Sequence, residues 1–174
     1  MSDWTPFFAT AAGSAATLAG LIFVATQLHV DAFADPTNRW TAVAQSTLTL
    51  LSSVLGLSLM FLMPRVPLAV RAQVMMIVTA VVLWRTVRLW WPVVRVGEKG
   101  RLKRLEQSFW LLLLPLAAYG YLLVGAVQLL LGDEADGLIS VAGAFLTNFA
   151  ISLRNSWRLV TVAVHETRAR ELHR

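Results

Sequence analysis

The stretch FFATAAGSAATLAGLIFVATQLHV, residues 7–30, contains no Asp, Glu, Lys or Arg. A hydrocarbon layer about 30 Å thick is crossed by roughly 20 helical residues rising about 1.5 Å each, so this stretch is long enough to cross. Four further apolar stretches of similar length follow, at 42–63, 68–91, 109–131 and 138–164. Together they fill nearly all of the 174 residues and leave no room for a second domain. Hydrophobic residues make up 57% of the chain and charged ones 14%, against about 25% charged in an ordinary soluble domain. The expectation is an all-α integral membrane bundle of five transmembrane helices, forming one domain over 1–174. The first stretch is too long for a cleaved signal peptide and has no basic residue ahead of it, so it is expected to stay in the bilayer.

Charge then orients the bundle. With five spans, Arg39, the loop bases Arg95, Lys99, Arg101, Lys103 and Arg104, and the tail bases Arg168, Arg170 and Arg174 share one side. Arg65 and Arg71 fall on the other, with the acidic Asp133, Glu134 and Asp136. Lys and Arg accumulate on the cytoplasmic side of membrane proteins, which predicts an outside N-terminus and a cytoplasmic C-terminus. The basic pI near 10.7 then points to anionic lipid headgroups beside the membrane rather than to nucleic acid. Pro64 and Pro67 predict a tight turn, because proline cannot continue the helical hydrogen-bond ladder.

The first span is also a packing surface. Ala9, Gly13 and Thr17 form one line of small side chains, and Ala12, Ala16 and Gly20 a second. Helices in lipid associate by close backbone approach, so these six positions mark either the central helix of the bundle or a contact between subunits of a homo-oligomer. In the second span Gln45, Ser46, Thr49, Ser52, Ser53 and Gly56 make a small, polar stripe.

Charged side chains inside a span are expensive and mark functional candidates. Span midpoints place Arg85 and Arg154 at one depth, with Arg88 and Arg158 matching one turn further along. Asn148 and Asn155 lie beside the fifth-span arginines. These six residues form the candidate site: a basic cytoplasmic-side vestibule that binds anionic lipid or passes a small anion, unless the arginines only snorkel to the headgroups or only fix the fold in a network with Asp31, Asn148 and Asn155. No His-x-x-x-His, Glu-x-x-His or paired intramembrane aspartate appears, nor any glycine-rich phosphate loop, and there are no cysteines. The expectation is therefore a non-enzymatic protein without metal or cofactor.

Trp4-x-x-Phe7-Phe8, followed by Ala12-Gly13-Ser14-Ala15-Ala16-Thr17-Leu18-Ala19-Gly20-Leu21-Ile22-Phe23-Val24-Ala25, resembles the first helix of a set of small bacterial multipass proteins. Some of these are labelled modulators of the membrane protease FtsH. The similarity covers mainly the first helix and the turn after the second, and Ser156-Trp157 looks like that family's Trp-bearing end. The resemblance implies a place in the bacterial inner membrane. It also implies a regulatory alternative, in which the chain docks on a larger membrane complex such as a membrane protease.

Overall fold

The computed structural model describes residues 2–28, 39–96 and 113–172, with side-chain surroundings over 3–27, 41, 43–88 and 113–159. A single 3-10 turn, Ser2–Trp4, leads into α1 (Thr5–Leu28). Then come α2 (Arg39–Leu62), α3 (Leu68–Val96), α4 (Leu114–Leu131) and α5 (Glu134–Leu172). Each contains a segment long and apolar enough to cross a membrane: Thr5–Gln27, Val43–Leu62, Leu68–Arg88, Leu114–Leu131 and Glu134–Leu159. The expected start of the fourth span at 109 lies outside the described residues. The fifth helix begins at Glu134 rather than 138 and continues to Leu172, so Arg168 and Arg170 extend a helix instead of forming a loose tail. The connections over 29–38 and 97–112, with His29, Asp31, Lys99, Arg101, Lys103 and Arg104, lie outside the described residues.

Four helices close a ring: α2 packs on α3, α3 on α4, α4 on α5 and α5 on α2. The first helix lies outside this ring, against α2 and, more slightly, α5. Because it packs mainly on one helix of the four, α1 is peripheral to the ring, and the central-helix reading of its small residues is corrected. The buried positions explain the ring. On α5, Leu138, Val141, Phe145, Asn148, Ser152, Asn155 and Leu159 are all buried, at alternating spacings of three and four that keep one face turned inward. Val43, Thr47, Leu50, Val54, Leu57 and Phe61 do the same on α2.

Two turns fix one end of the bundle by different means. Between α4 and α5, Gly132 takes a left-handed φ of 89°, Asp133 N donates to Gln128 O at 3.0 Å, and Gly132 N donates to Leu129 O at 3.4 Å. This pairing satisfies the last α4 carbonyls in the manner of a Schellman motif. Asp133 then caps α5, its Oδ1 accepting from Asp136 N at 3.4 Å. Behind this turn the two helices approach closely. A Cβ on Gly125 would lie 3.0 Å from Gly137 O, and one on Gly137 would lie 2.7 Å from Leu129 Cγ and 3.1 Å from Leu129 N.

Between α2 and α3, Arg65 holds a left-handed φ of 63°, an uncommon state for a side-chain-bearing residue. The Met63 carbonyl would look to residue 67 for its helical donor, and Pro67 has no N–H. Arg71 supplies the substitute: Nη2 donates to Met63 O at 2.7 Å and Nη1 to Phe61 O at 3.0 Å. Only 6% of Arg71 is exposed. A base near the outer end of the third span is thus the cap of the preceding helix.

Two substitutions test these corners by chemical or thermal unfolding in detergent. Arg71→Met strands two carbonyls and is expected to cost about 3 kcal/mol. Gly137→Ala forces α4 and α5 apart and is expected to cost about 2 kcal/mol, whereas Gly13→Ala, with open space above it, stays close to wild type.

Candidate functional site

An aromatic layer gives the helices their relative heights. The Phe8 ring stacks on Phe61 at 4.6 Å and 6°, and meets Phe145 edge-on at 6.1 Å and 83°. Phe7 stacks on Phe145 at 6.4 Å. Phe61 is the penultimate residue of α2, whereas Phe145 lies three turns into α5. The α4/α5 turn therefore stands beyond the α2/α3 turn. Beside the layer, Thr5, Phe8, Phe61, Leu62, Met63, Pro64 and Arg71 line a small open cleft of about 190 Å³.

The arginine pairs do not share a wall: α3 and α5 occupy opposite corners of the ring. Arg85 and Arg88 are exposed on the outer side of α3. Arg88 Cζ stands 5.4 Å from the centre of the Trp84 ring, itself 63% exposed, a cation–π distance. Arg154 and Arg158 are half-buried on α5, while Asn148 and Asn155 face the interior and are buried. The six candidates thus divide into an outward cationic face on α3 and an α5 edge whose asparagines point inward.

The small residues of α1 divide as well. Phe8, Ala11, Ala12, Ala15 and Ile22 are buried against the bundle. Ala9, Gly13, Ala16, Thr17 and Gly20 are exposed, and nothing lies within 4 Å of a Cβ built on Gly13 or Gly20. One of the six candidate packing positions, Ala12, is used within the chain, and the other five face outward. The stripe on α2 splits likewise: Ser46 and Ser53 are buried, Thr49 is half-buried, and Gln45, Ser52 and Gly56 are exposed.

Of the polar groups that cross the ring, sequence reasoning singled out Ser53 in the α2 stripe but not Tyr119, Gln128 or Ser140. Ser53 Oγ donates to Leu50 O at 2.7 Å. The single hydroxyl proton of Ser53 being used there, the Tyr119 hydroxyl donates to Ser53 Oγ at 3.2 Å, joining the diagonal pair α2 and α4. Ser140 Oγ donates to Gln128 Oε1 at 2.8 Å, tying α4 to α5. Three further buried hydroxyls, on Ser58, Thr79 and Ser152, went unremarked. The spacing of Ser152 four residues after Asn148 and three before Asn155 was the available signal, since those separations share a helix face.

No protein-family model, curated protein or solved structure matches this chain.

The diagonal hydrogen bond is testable alone. Tyr119→Phe removes one donor and leaves Ser53 bonded to Leu50 O, so no polar atom is orphaned. The expected loss is about 1 kcal/mol in equilibrium unfolding, with the fold retained.

Proposed function

We propose that this chain is a non-enzymatic multipass membrane protein of the bacterial inner membrane that self-associates through α1 and binds anionic lipid headgroups through arginines at its cytoplasmic end. The observation that carries self-association is the outward face Ala9, Gly13, Ala16, Thr17 and Gly20, exposed along three turns of a helix that packs the bundle with its other side. Close approach over small residues is how helices associate where no water is there to be expelled. Headgroup binding draws on Trp84, Arg85 and Arg88, exposed on α3, where an aromatic ring and a guanidinium can sit together at the lipid–water boundary. The charge asymmetry supports an outside N-terminus and a cytoplasmic C-terminus.

Lipid binding is the better supported of the two uses of the arginines. A route for a small anion needs the arginines around one passage, and Arg85 and Arg88 lie on the opposite corner of the ring from Arg154 and Arg158. The exposed α1 face also suits the alternative role, docking on a larger membrane complex such as a membrane protease, which the family resemblance implies.

Native mass spectrometry from nanodiscs containing anionic lipid tests both parts. The wild-type chain is expected as a discrete homo-oligomer with retained anionic lipids. Gly13→Leu with Gly20→Leu is expected to release monomers of unchanged unfolding midpoint, because both positions face open space. Arg85→Leu with Arg88→Leu is expected to keep the oligomer and lose retained lipid. A wild-type chain that is monomeric at every concentration rejects self-association, and lipid retention indifferent to both arginines rejects the headgroup reading.

A further inference from the structure

Arg85 and Arg88 are three residues apart on α3, so their side chains rise from one helix face. Both are exposed. The apolar span Leu68–Arg88 ends with them, and α3 contains no Asp or Glu. The acids whose surroundings are described, Asp3, Asp133, Glu134 and Asp136, belong to the other end of the bundle. Arg85 lies about 25 Å along α3 from Leu68, out of reach of all four. Among the described residues the two guanidiniums therefore face no carboxylate.

Two neighbours shape this face. Arg88 Cζ stands 5.4 Å from the centre of the Trp84 ring, and Trp84 directly precedes Arg85. The ring thus holds the Arg88 head beside the turn that carries Arg85. Toward the middle of the span, Ile77 and Val81 are exposed, at the four-residue spacing that Arg85 continues. An acyl chain can lie along Ile77 and Val81 while its headgroup meets both guanidiniums. That continuity of apolar and cationic surface fits a lipid rather than a free anion.

We propose that this face of α3 is a lipid site selective for a phosphate monoester headgroup over a phosphodiester. The proposal rests on the headgroup reading and adds the class of headgroup. A guanidinium engages phosphate through two parallel N–H···O bonds. A phosphodiester has two terminal oxygens and one negative charge, and a single arginine uses both oxygens. A monoester has three terminal oxygens and carries a charge of about −1.5 to −2 near neutral pH, enough for two arginines. The charges decide in the same direction. Two guanidiniums on one face repel each other; a diester leaves one of them uncompensated, and a monoester offsets both. Trp84 adds a ring that sits well at headgroup level and orients Arg88.

Native mass spectrometry of the full chain from nanodiscs holding phosphatidic acid and phosphatidylglycerol in equal amounts tests it. The wild-type chain is expected to retain the monoester over the diester by about fivefold, the worth of one strong exposed ion pair. Arg85→Gln and Arg88→Gln, each alone, are expected to keep lipid bound but to bring the two lipids to parity. Equal retention of both lipids by the wild-type chain overturns the selectivity and leaves the headgroup reading intact. A preference unchanged in both single variants overturns the arginine pair as its source. Lipid retention at the wild-type level in Arg85→Leu with Arg88→Leu is a different result, the failure of the headgroup reading itself. Glycerol 3-phosphate, the same phosphate without acyl chains, is expected to leave the bound lipid in place. Displacement of the lipid by it overturns the lipid as the occupant.

Discussion

The two hydrogen bonds from Arg71 to the last carbonyls of α2 hold the corner on which the bundle turns. In a hydrocarbon setting a backbone carbonyl without a donor costs several kcal/mol, and the sequence between α2 and α3 removes donors deliberately. Pro64 and Pro67 make the turn short but contribute no N–H. Arg65 closes it in a left-handed conformation. The guanidinium, with donors in a planar fork, reaches two carbonyls at once from the first turn of α3. With that corner fixed, Phe61 is fixed, and Phe8 and Phe145 assemble on it.

The second hairpin needs no such device. Gly125 and Gly137 let α4 and α5 close to near backbone contact, and Gly132 with Asp133 satisfies the helix ends within the turn itself. One hairpin is thus held by a charge reaching carbonyls and the other by the absence of side chains. The diagonal Tyr119–Ser53 bond joins them through the core. Because α1 meets mainly α2, it covers one flank of this four-helix unit and leaves its own opposite side uncommitted.

Helix number and extent were legible because spanning length and hydrophobicity are properties of a run of sequence. Faces and heights were not. In α1 nearly every residue from Ala9 to Gly20 is small, so composition does not say that Ala11, Ala12 and Ala15 turn inward and Gly13 and Gly20 outward. The closest helix contact arises instead from two glycines, Gly125 and Gly137, that belong to no conspicuous pattern. Matching span midpoints assumes flush helices. The α4/α5 hairpin stands proud of its neighbour, and the ring sets Arg154 and Arg85 on opposite corners. Asn148 and Asn155 were legible as unusual because an amide in an apolar run has no cheap explanation, whereas a serine has one in its own helix carbonyl. For that reason Ser58, Thr79 and Ser152 stayed hidden until their hydroxyls were seen not to take it.

Two polar groupings of this chain share no residue. One is cationic and aromatic, on the outer side of α3, where Arg88 leans on Trp84. The other is neutral and internal, along α5 and its facing helices. Burying Asn148 where a leucine would fit costs stability for any protein whose only need is to fold. Retaining a buried amide, with Ser152 one turn along the same helix face, is a cost that packing alone does not require. Arginines can be tolerated at a membrane boundary by extending to the headgroups. An amide at the centre of a ring of helices has no such exit, so its partners have to come to it, and the interior of the bundle is the part of this protein whose chemistry is least explained by the need to sit in a bilayer.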